Sequence, residues 1–459
     1  ALSSKRSKWK AFLCSKTPEA LDLFREARGK VVVARTRKLN MLSGTLKDSS
    51  GEMKPGLGFT LNRKQHDSLS PWEFADHFKQ LFALKECALP PLDPANLFLE
   101  REGGDDIYLT EVKESLNSID NGKAPGANGV LTSALKAGGE HTFGILHQLC
   151  QQWSNNPTSI PAALVHSIIV PFYKKRDRKD AGNYGGINLL DHIGKVYAGV
   201  LGHRLKPLAE SFFGEKQYGF LSAKRTIDAV DVLRRCQEAC NFNGGRLSAV
   251  FLGLKAAFDK VPRTAIWRAL RLAGCDEKLI SAVESLHRNT VAQVKAGFLN
   301  FPTEMGTRRG CRVAPLLFII FMEMVLRDAN LEVGLSILCE SKDSVESANL
   351  SCLLFADDIV LLADDDLALQ RNLDRLSASL ARFGMELSLP KTKCLILSEG
   401  LGDSNLRLKV HDSEVEEVDK FAYLGSLFPK GRNLVAPYRH RPTVALRSYS
   451  GVMWTVLPT

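Results

Sequence analysis

The 459 residues leave room for two to four structural units and a sizeable core, and the 44% hydrophobic, 24% charged and 8% aromatic composition is that of a globular protein, which argues against a disordered or fibrous chain. No apolar run reaches membrane-spanning length; the longest, around Val313 to Leu326, is interrupted by Glu323 and reads as a buried helix. The net charge of +10 points to a polyanionic partner, and residues 1–40 concentrate it, with eleven Lys and Arg against Glu19, Asp22 and Glu26. A second basic cluster runs from Lys174 to Asp180, and a plain solvated basic surface is the competing reading of both.

Beginning on Ala rather than Met, the chain reads as a piece of something larger. Ten cysteines are scattered without a repeating interval. Cys236 and Cys240 stand four apart, yet no His or second Cys pair completes a zinc set, so reduced thiols of an intracellular protein (nuclear or cytoplasmic) are expected.

Residues 1–104 read as a basic helical extension whose pieces are joined by polar loops. A helix capped by Thr110 follows, with Val112, Leu116 and Ile119 on its apolar face, and it stops at Asn121-Gly122 before the loop Lys123-Ala124-Pro125-Gly126. Helices over Phe143–Trp153, Gly194–Leu208 and Ile227–Cys240 alternate with a strand over Ser167–Tyr173. After Asn243-Gly244-Gly245, Leu247–Leu254 reads as a buried strand, Ile266–Leu272 and Glu277–Leu286 as helices, Val291–Lys295 as a strand and Pro315–Leu326 as a buried helix. Cys352 to Leu362 carries two apolar runs around Asp357-Asp358, a β-hairpin with carboxylates at its tip. A helix over Leu367–Phe383 and a strand over Lys393–Leu397 follow. The fold class is α/β with an antiparallel sheet, since no βαβ glycine fingerprint is present.

Two adjacent aspartates at a buried tip are costly unless something offsets their charge. A divalent ion does so, and Mg²⁺ favours one or two carboxylates together with phosphate oxygens. An Asp-Asp turn alone is commonplace; here the apolar runs on both sides favour the metal reading over an exposed turn.

Phe355-Ala356-Asp357-Asp358 resembles the F/Y-x-D-D hairpin of reverse transcriptases, in the Ala form of LINE-type, non-LTR retrotransposons. Further blocks fall in the same order: Gly122 to Gly129 resembles GKAPGPDG, Asn183 to Leu190 NYRGISLL, and Gln217-Tyr218-Gly219-Phe220 with Thr226 and Asp228 QFGFRPGRSTTD. Val250 to Pro262 is similar to VFLDLKKAFDKVP and Gly306 to Phe318 to GVRQGCVLAPLLF, while Lys391-Thr392-Lys393 and Phe421 to Ser426 match two later blocks. The resemblance covers roughly residues 110 to 428. It implies a right-hand polymerase fold, with fingers over 105–245, an antiparallel-sheet palm over 246–428 and a truncated or degenerate thumb over 429–459. It also implies RNA-directed DNA synthesis from an RNA template, a DNA primer or target and dNTPs. Two Mg²⁺ (or Mn²⁺) ions would be held by an Asp on the first palm strand and by Asp357, with Asp358 a secondary carboxylate near the primer end. Phe258 falls at an aromatic steric gate against the ribose 2′-OH, with core packing as its plain alternative; Arg309, Gly310 and Lys391 fall at nucleotide-contacting positions.

This copy departs from the pattern where function sits. Gly253 occupies the place of the first palm aspartate and offers no carboxylate. Asp259, six residues on, would lie roughly 20 Å away along an extended strand and cannot replace it. Gly185 and Leu221 replace arginines, Arg309 replaces a Gln, and Asn128 replaces an Asp. Polymerase activity is therefore expected to be impaired, the alternative being a catalytically inactive nucleic-acid-binding remnant; a product with no role at all is the third possibility. Glycine being a poor strand residue, an Asp at 253 should cost the fold little, with Arg at 185 and Gln at 309 restoring nucleotide positioning.

Overall fold

The computed structural model describes residues 69–85, 89, 106–174, 177–222, 224–295, 297, 299–340, 345–400, 406–431 and 453–456. The basic segment 1–40, most of the predicted amino-terminal loops, and most of the 429–459 tail lie outside the described residues.

Helix α1 (Pro71–Leu81) starts on Ser70, whose hydroxyl accepts the Glu73 amide while the Glu73 carboxylate accepts the Ser70 amide at 2.6 Å. Helix α2 (Leu109–Asn117) begins earlier than the Thr110 cap predicts, because Glu111 reaches back to the Tyr108 amide at 2.8 Å. It also ends four residues sooner than expected, at a Ser118 whose hydroxyl donates to the Ser115 carbonyl. Helices α3 (Thr132–Ala137), α4 (Gly139–Asn155) and α5 (Ala162–Val165) lead into β1 (His166–Tyr173), β2 (Tyr184–Leu189), α6 (His192–Phe212) and α7 (Thr226–Asn243). After β3 (Arg246–Leu252) come α8 (Ala257–Lys260), α9 (Arg263–Leu272), α10 (Glu277–Ser285), β4 (Val291–Val294) and β5 (Asn300–Pro302). Strands β1, β2, β4 and β5 make a four-stranded sheet in the order β2-β1-β4-β5, onto which α1 packs Phe74 and Phe78 against Ile169, Tyr184, Ala292 and Phe301.

Helix α11 (Ala314–Ala329) is apolar on every face and buried throughout its middle; its one acid there, Glu323, receives the Arg327 Nε and the Gly214 amide. A hairpin of β6 (Leu335–Glu340) and β7 (Val345–Leu350), which no sequence pattern announced, precedes β8 (Cys352–Phe355), β9 (Asp358–Ala363), α12 (Asp366–Arg382) and β10 (Lys393–Glu399). Short strands β11 (Lys409–Val410), β12 (Ser413–Glu414), β13 (Glu416–Glu417), β14 (Lys420–Tyr423) and β15 (Ser426–Pro429) follow.

The central sheet runs β13-β10-β3-β9-β8, antiparallel except for the β10–β13 edge pair. Its strands are apolar at consecutive positions because both faces are covered. Leu247, Ala249, Phe251, Leu353, Val360, Leu362, Leu395 and Leu397 face α7 and the β14–β15 hairpin, and Phe421 stacks on Phe251 at 4.2 Å. The alternate residues Val250, Leu252, Leu354, Ile359, Leu361, Cys394 and Ile396 join the large core of α6, α9, α11 and α12.

Leu361 is 0% exposed and paired with both Cys352 and Val250. Leu361→Ala is expected to lower unfolding free energy by about 2–5 kcal/mol in urea titration, whereas Leu367→Ala, at a 69% exposed position, should stay within about 0.5 kcal/mol of the unaltered chain.

Candidate active site

Strand β3 is the hub of the site. Its last residue, Leu252, pairs with Ile359 of β9, so the next position, Gly253, comes level with Asp358. On the other side Phe251 pairs with Lys393 of β10, which brings Gly253 level with Lys391. The Ser388 amide donates to the Gly253 carbonyl at 2.7 Å and the Gly253 amide to the Thr392 hydroxyl at 3.4 Å, so the strand is bound on this side beyond its formal end.

The carboxylate expected from this strand is missing, and its volume is filled. A β-carbon on Gly253 would fall 2.4 Å from Lys391 Cβ, 3.1 Å from its Cδ and 3.4 Å from its Cγ. The Lys391 stem thus lies over the glycine, with its ammonium donating to the Leu254 carbonyl at 3.4 Å. The expectation that Asp at 253 would cost little is corrected here: the obstructing atom is the root of a side chain, which only a backbone shift can move. Among the described residues, no group of three or more His, Cys, Asp or Glu could hold a metal ion.

On the opposite side, Phe355 pairs with Asp358 across a two-residue turn of Ala356 and Asp357. Ala356 is left-handed (φ 57°) and 4% exposed, a conformation that costs a non-glycine residue on the order of 1–3 kcal/mol. Asp357 is half-buried and the Asp358 side chain reaches solvent. Desolvation against the hairpin, then the neighbouring Asp357 charge, pushes the Asp358 carboxyl above the usual aspartate range, and Lys391 opposes both. The Tyr423 hydroxyl is buried without a hydrogen-bond partner among the described residues, and burial and then the nearby Asp358 charge push it upward.

The chain turns sharply after Gly253. Leu254 bridges to Leu387, Ala256 is left-handed, and α8 begins at Ala257, so the extended-strand spacing assumed for Asp259 does not hold. A different contact occupies that carboxylate: Arg309 grips it with both prongs, Nε to Oδ1 at 2.7 Å and Nη2 to Oδ2 at 2.6 Å. Asp259 is 7% exposed. Burial raises its carboxyl, and Arg309, Lys174 and His77 pull it back down. Arg309→Gln would strip this acid of its closest counter-charge rather than simply restore a nucleotide contact.

Phe258 stacks on Phe318 at 4.2 Å and meets Phe220 edge-on at 6.4 Å, so it packs on one side while remaining partly exposed. Gly310 (φ 91°) approaches β2 so closely that a β-carbon would sit 2.6 Å from the Asn188 carbonyl oxygen. Asn128 accepts the Val130 amide at 2.8 Å within its own loop, and Leu221 packs partly buried against the large core. At Gly185 a β-carbon would meet the Phe172 ring and Lys174 Cε, the far ends of two side chains. In the sequence Lys174 stands out only as part of a basic cluster. Burial and then Arg309 lower its pKa, while Asp259 and Asp357 raise it, so Lys174 feels the charges of both.

The family described as "Reverse transcriptase (RNA-dependent DNA polymerase)" matches residues 173–428. The chain is 24% identical over 253 residues to the Pol polyprotein from type-1 retrotransposable element R2 of Nasonia vitripennis, covering 52% of this chain and 23% of that protein. It is 22% identical over 335 residues to the corresponding R2 protein of Bradysia coprophila (71% and 37%) and 23% identical over 340 residues to that of the type-2 element R2DM of Drosophila melanogaster (70% and 30%). It therefore spans well under half the length of these relatives. The match runs through β2, β3, the Asp357–Asp358 hairpin and β10, and on it the chain belongs to the reverse transcriptase family, among the non-LTR retrotransposon enzymes.

Proposed function

We propose that this chain is the RNA-directed DNA polymerase region of a non-LTR retrotransposon protein that still binds template and primer but has lost nucleotide addition. On this reading residues 105–245 form the fingers and 246–428 the palm, and RNA template, DNA primer and dNTP meet at the Asp357–Asp358 hairpin. Phe258, backed by Phe318, is the face that would exclude a ribose 2′-OH. Lys174 and Lys391 supply positive charge for a triphosphate.

One observation carries the loss of catalysis: the Lys391 stem lies where the side chain of residue 253 would begin. Reverse transcriptases use divalent metal ions, and two-ion phosphoryl transfer needs carboxylates that hold both ions. Here one position has no carboxylate and no space for it, so the residues present do not fit a two-ion site, and no metal-dependent step is assigned to them. Asp357 and Asp358 remain as a pair, and Lys391 partly offsets the charge of Asp358. Binding of nucleic acid depends on different groups, the basic side chains that contact phosphates.

Primer extension on a generic RNA template is expected to stay at background for the unaltered chain. Gly253→Asp should also stay near background and lower the unfolding free energy by about 1–3 kcal/mol through overpacking. Lys391→Gly, which removes the obstructing β-carbon, should recover most of that loss when combined with Gly253→Asp. Robust incorporation by the unaltered chain, abolished by Asp357→Asn, would show that another carboxylate has taken the role.

Affinity for an RNA–DNA primer–template should fall steeply between 50 and 200 mM salt, roughly tenfold or more if three or more phosphates are neutralised. A flat filter-binding curve over that range would refute phosphate-mediated binding.

A further inference from the structure

Of the motif Gln217-Tyr218-Gly219-Phe220 only Phe220 has entered the site so far, at the edge of Phe258, yet the motif also touches the carboxylate hairpin directly. Strand β8 is the free edge of the central sheet, and the segment before α7 is laid along it as a short parallel addition. The Leu354 amide donates to the Lys216 carbonyl at 2.9 Å, and the Tyr218 amide donates to the Leu354 carbonyl at 2.8 Å. From there the Gln217 side chain, 1% exposed, reaches under the turn. Its Oε1 accepts the Gly219 amide at 2.7 Å and the Ala356 amide at 3.2 Å. Residue 219 must be glycine for this approach, because a β-carbon there would lie 2.6 Å from the Ala356 nitrogen. The segment is latched by Lys224, whose ammonium donates to the Glu215 and Gln217 carbonyls at 3.1 and 3.0 Å and sits 4.9 Å over the Tyr218 ring.

Ala356 is the residue whose left-handed backbone aims Asp357 and Asp358 out of the turn, and nothing intrinsic to alanine favours that conformation. A buried amide needs an acceptor, and Gln217 supplies one from outside the hairpin. We infer that Gln217 is the positioning residue of the carboxylate hairpin, holding the left-handed Ala356 through its side-chain oxygen and so fixing the direction of Asp357 and Asp358. The role is distinct from packing: an apolar side chain of equal bulk would fill the same space and leave the Ala356 amide without its acceptor. The importance of the hairpin rests on the polymerase reading above, but the clamp is read without nucleic acid or nucleotide.

The test is site-resolved amide hydrogen exchange on the full chain. Gln217→Leu should speed exchange at Ala356 by about tenfold, the factor expected for one lost hydrogen bond, while the Val360, Leu361 and Leu362 amides of β9 keep their rates. Gln217→Glu, which retains the acceptor oxygen, should leave Ala356 within about twofold of the unaltered chain. An unchanged Ala356 rate in Gln217→Leu, equal acceleration in Gln217→Leu and Gln217→Glu, or acceleration shared by β9 would each overturn the assignment. If Gln217→Leu does not fold, Gln217→Asn, one methylene too short to reach, takes its place under the same criteria. Polymerase activity enters none of these readouts, so active primer extension would overturn the proposed function and leave this result standing.

Discussion

Everything chemical in this molecule follows from the register of one strand. β3 is hydrogen-bonded to β9 on one side and β10 on the other, and that pairing sets residue 253 between Asp358 and Lys391. With a carboxylate at 253 the alignment would gather acids on two adjacent strands. With glycine it gathers an acid, a gap and an ammonium-bearing stem that closes the gap. The sheet is unharmed because its stability comes from two buried faces of alternating residues, to which position 253 contributes no side chain. Fold and chemistry therefore separate at a single residue: cores depend on volume and pattern, whereas a two-ion site depends on particular atoms.

Periodicity disclosed the features that rest on it. The unbroken apolar runs of β3, β8 and β9 announce strands covered on both faces, and α12 follows from its amphipathic spacing. Strand β2 was legible only as a motif, since Tyr184-Gly185-Gly186 carries little strand propensity of its own. It exists because β1 pairs with it along its whole length, with Phe78 and Ile169 crowding Gly186. The site was legible as a set of residues, but its contacts were not. The Arg309–Asp259 fork joins residues 50 apart, and the Gln217 clamp on Ala356 spans 139, and neither leaves a local signal in the sequence.

Gly185 and Gly253 differ in what a side chain there would meet. At Gly185 the neighbours are a ring edge and the far part of a lysine, both free to rotate away. At Gly253 the neighbour is the β-carbon of Lys391, fixed to a backbone that the Ser388–Gly253 hydrogen bond ties to β3. Loss of charge at 185 is thus compatible with an unchanged scaffold on return of a long side chain, while position 253 is locked from across the sheet.

The Arg309–Asp259 fork bears on what the site can tolerate. An acid as deeply enclosed as Asp259 tolerates its ionised form through the cation facing it, with Lys174 and His77 only adding to the field. Arg309 and Asp259 thus depend on one another through a two-pronged contact. A site altered residue by residue at this cleft wall would therefore pass, at Arg309→Gln, through a form in which the enclosed Asp259 has lost its two-pronged partner, less sound than the one it set out from.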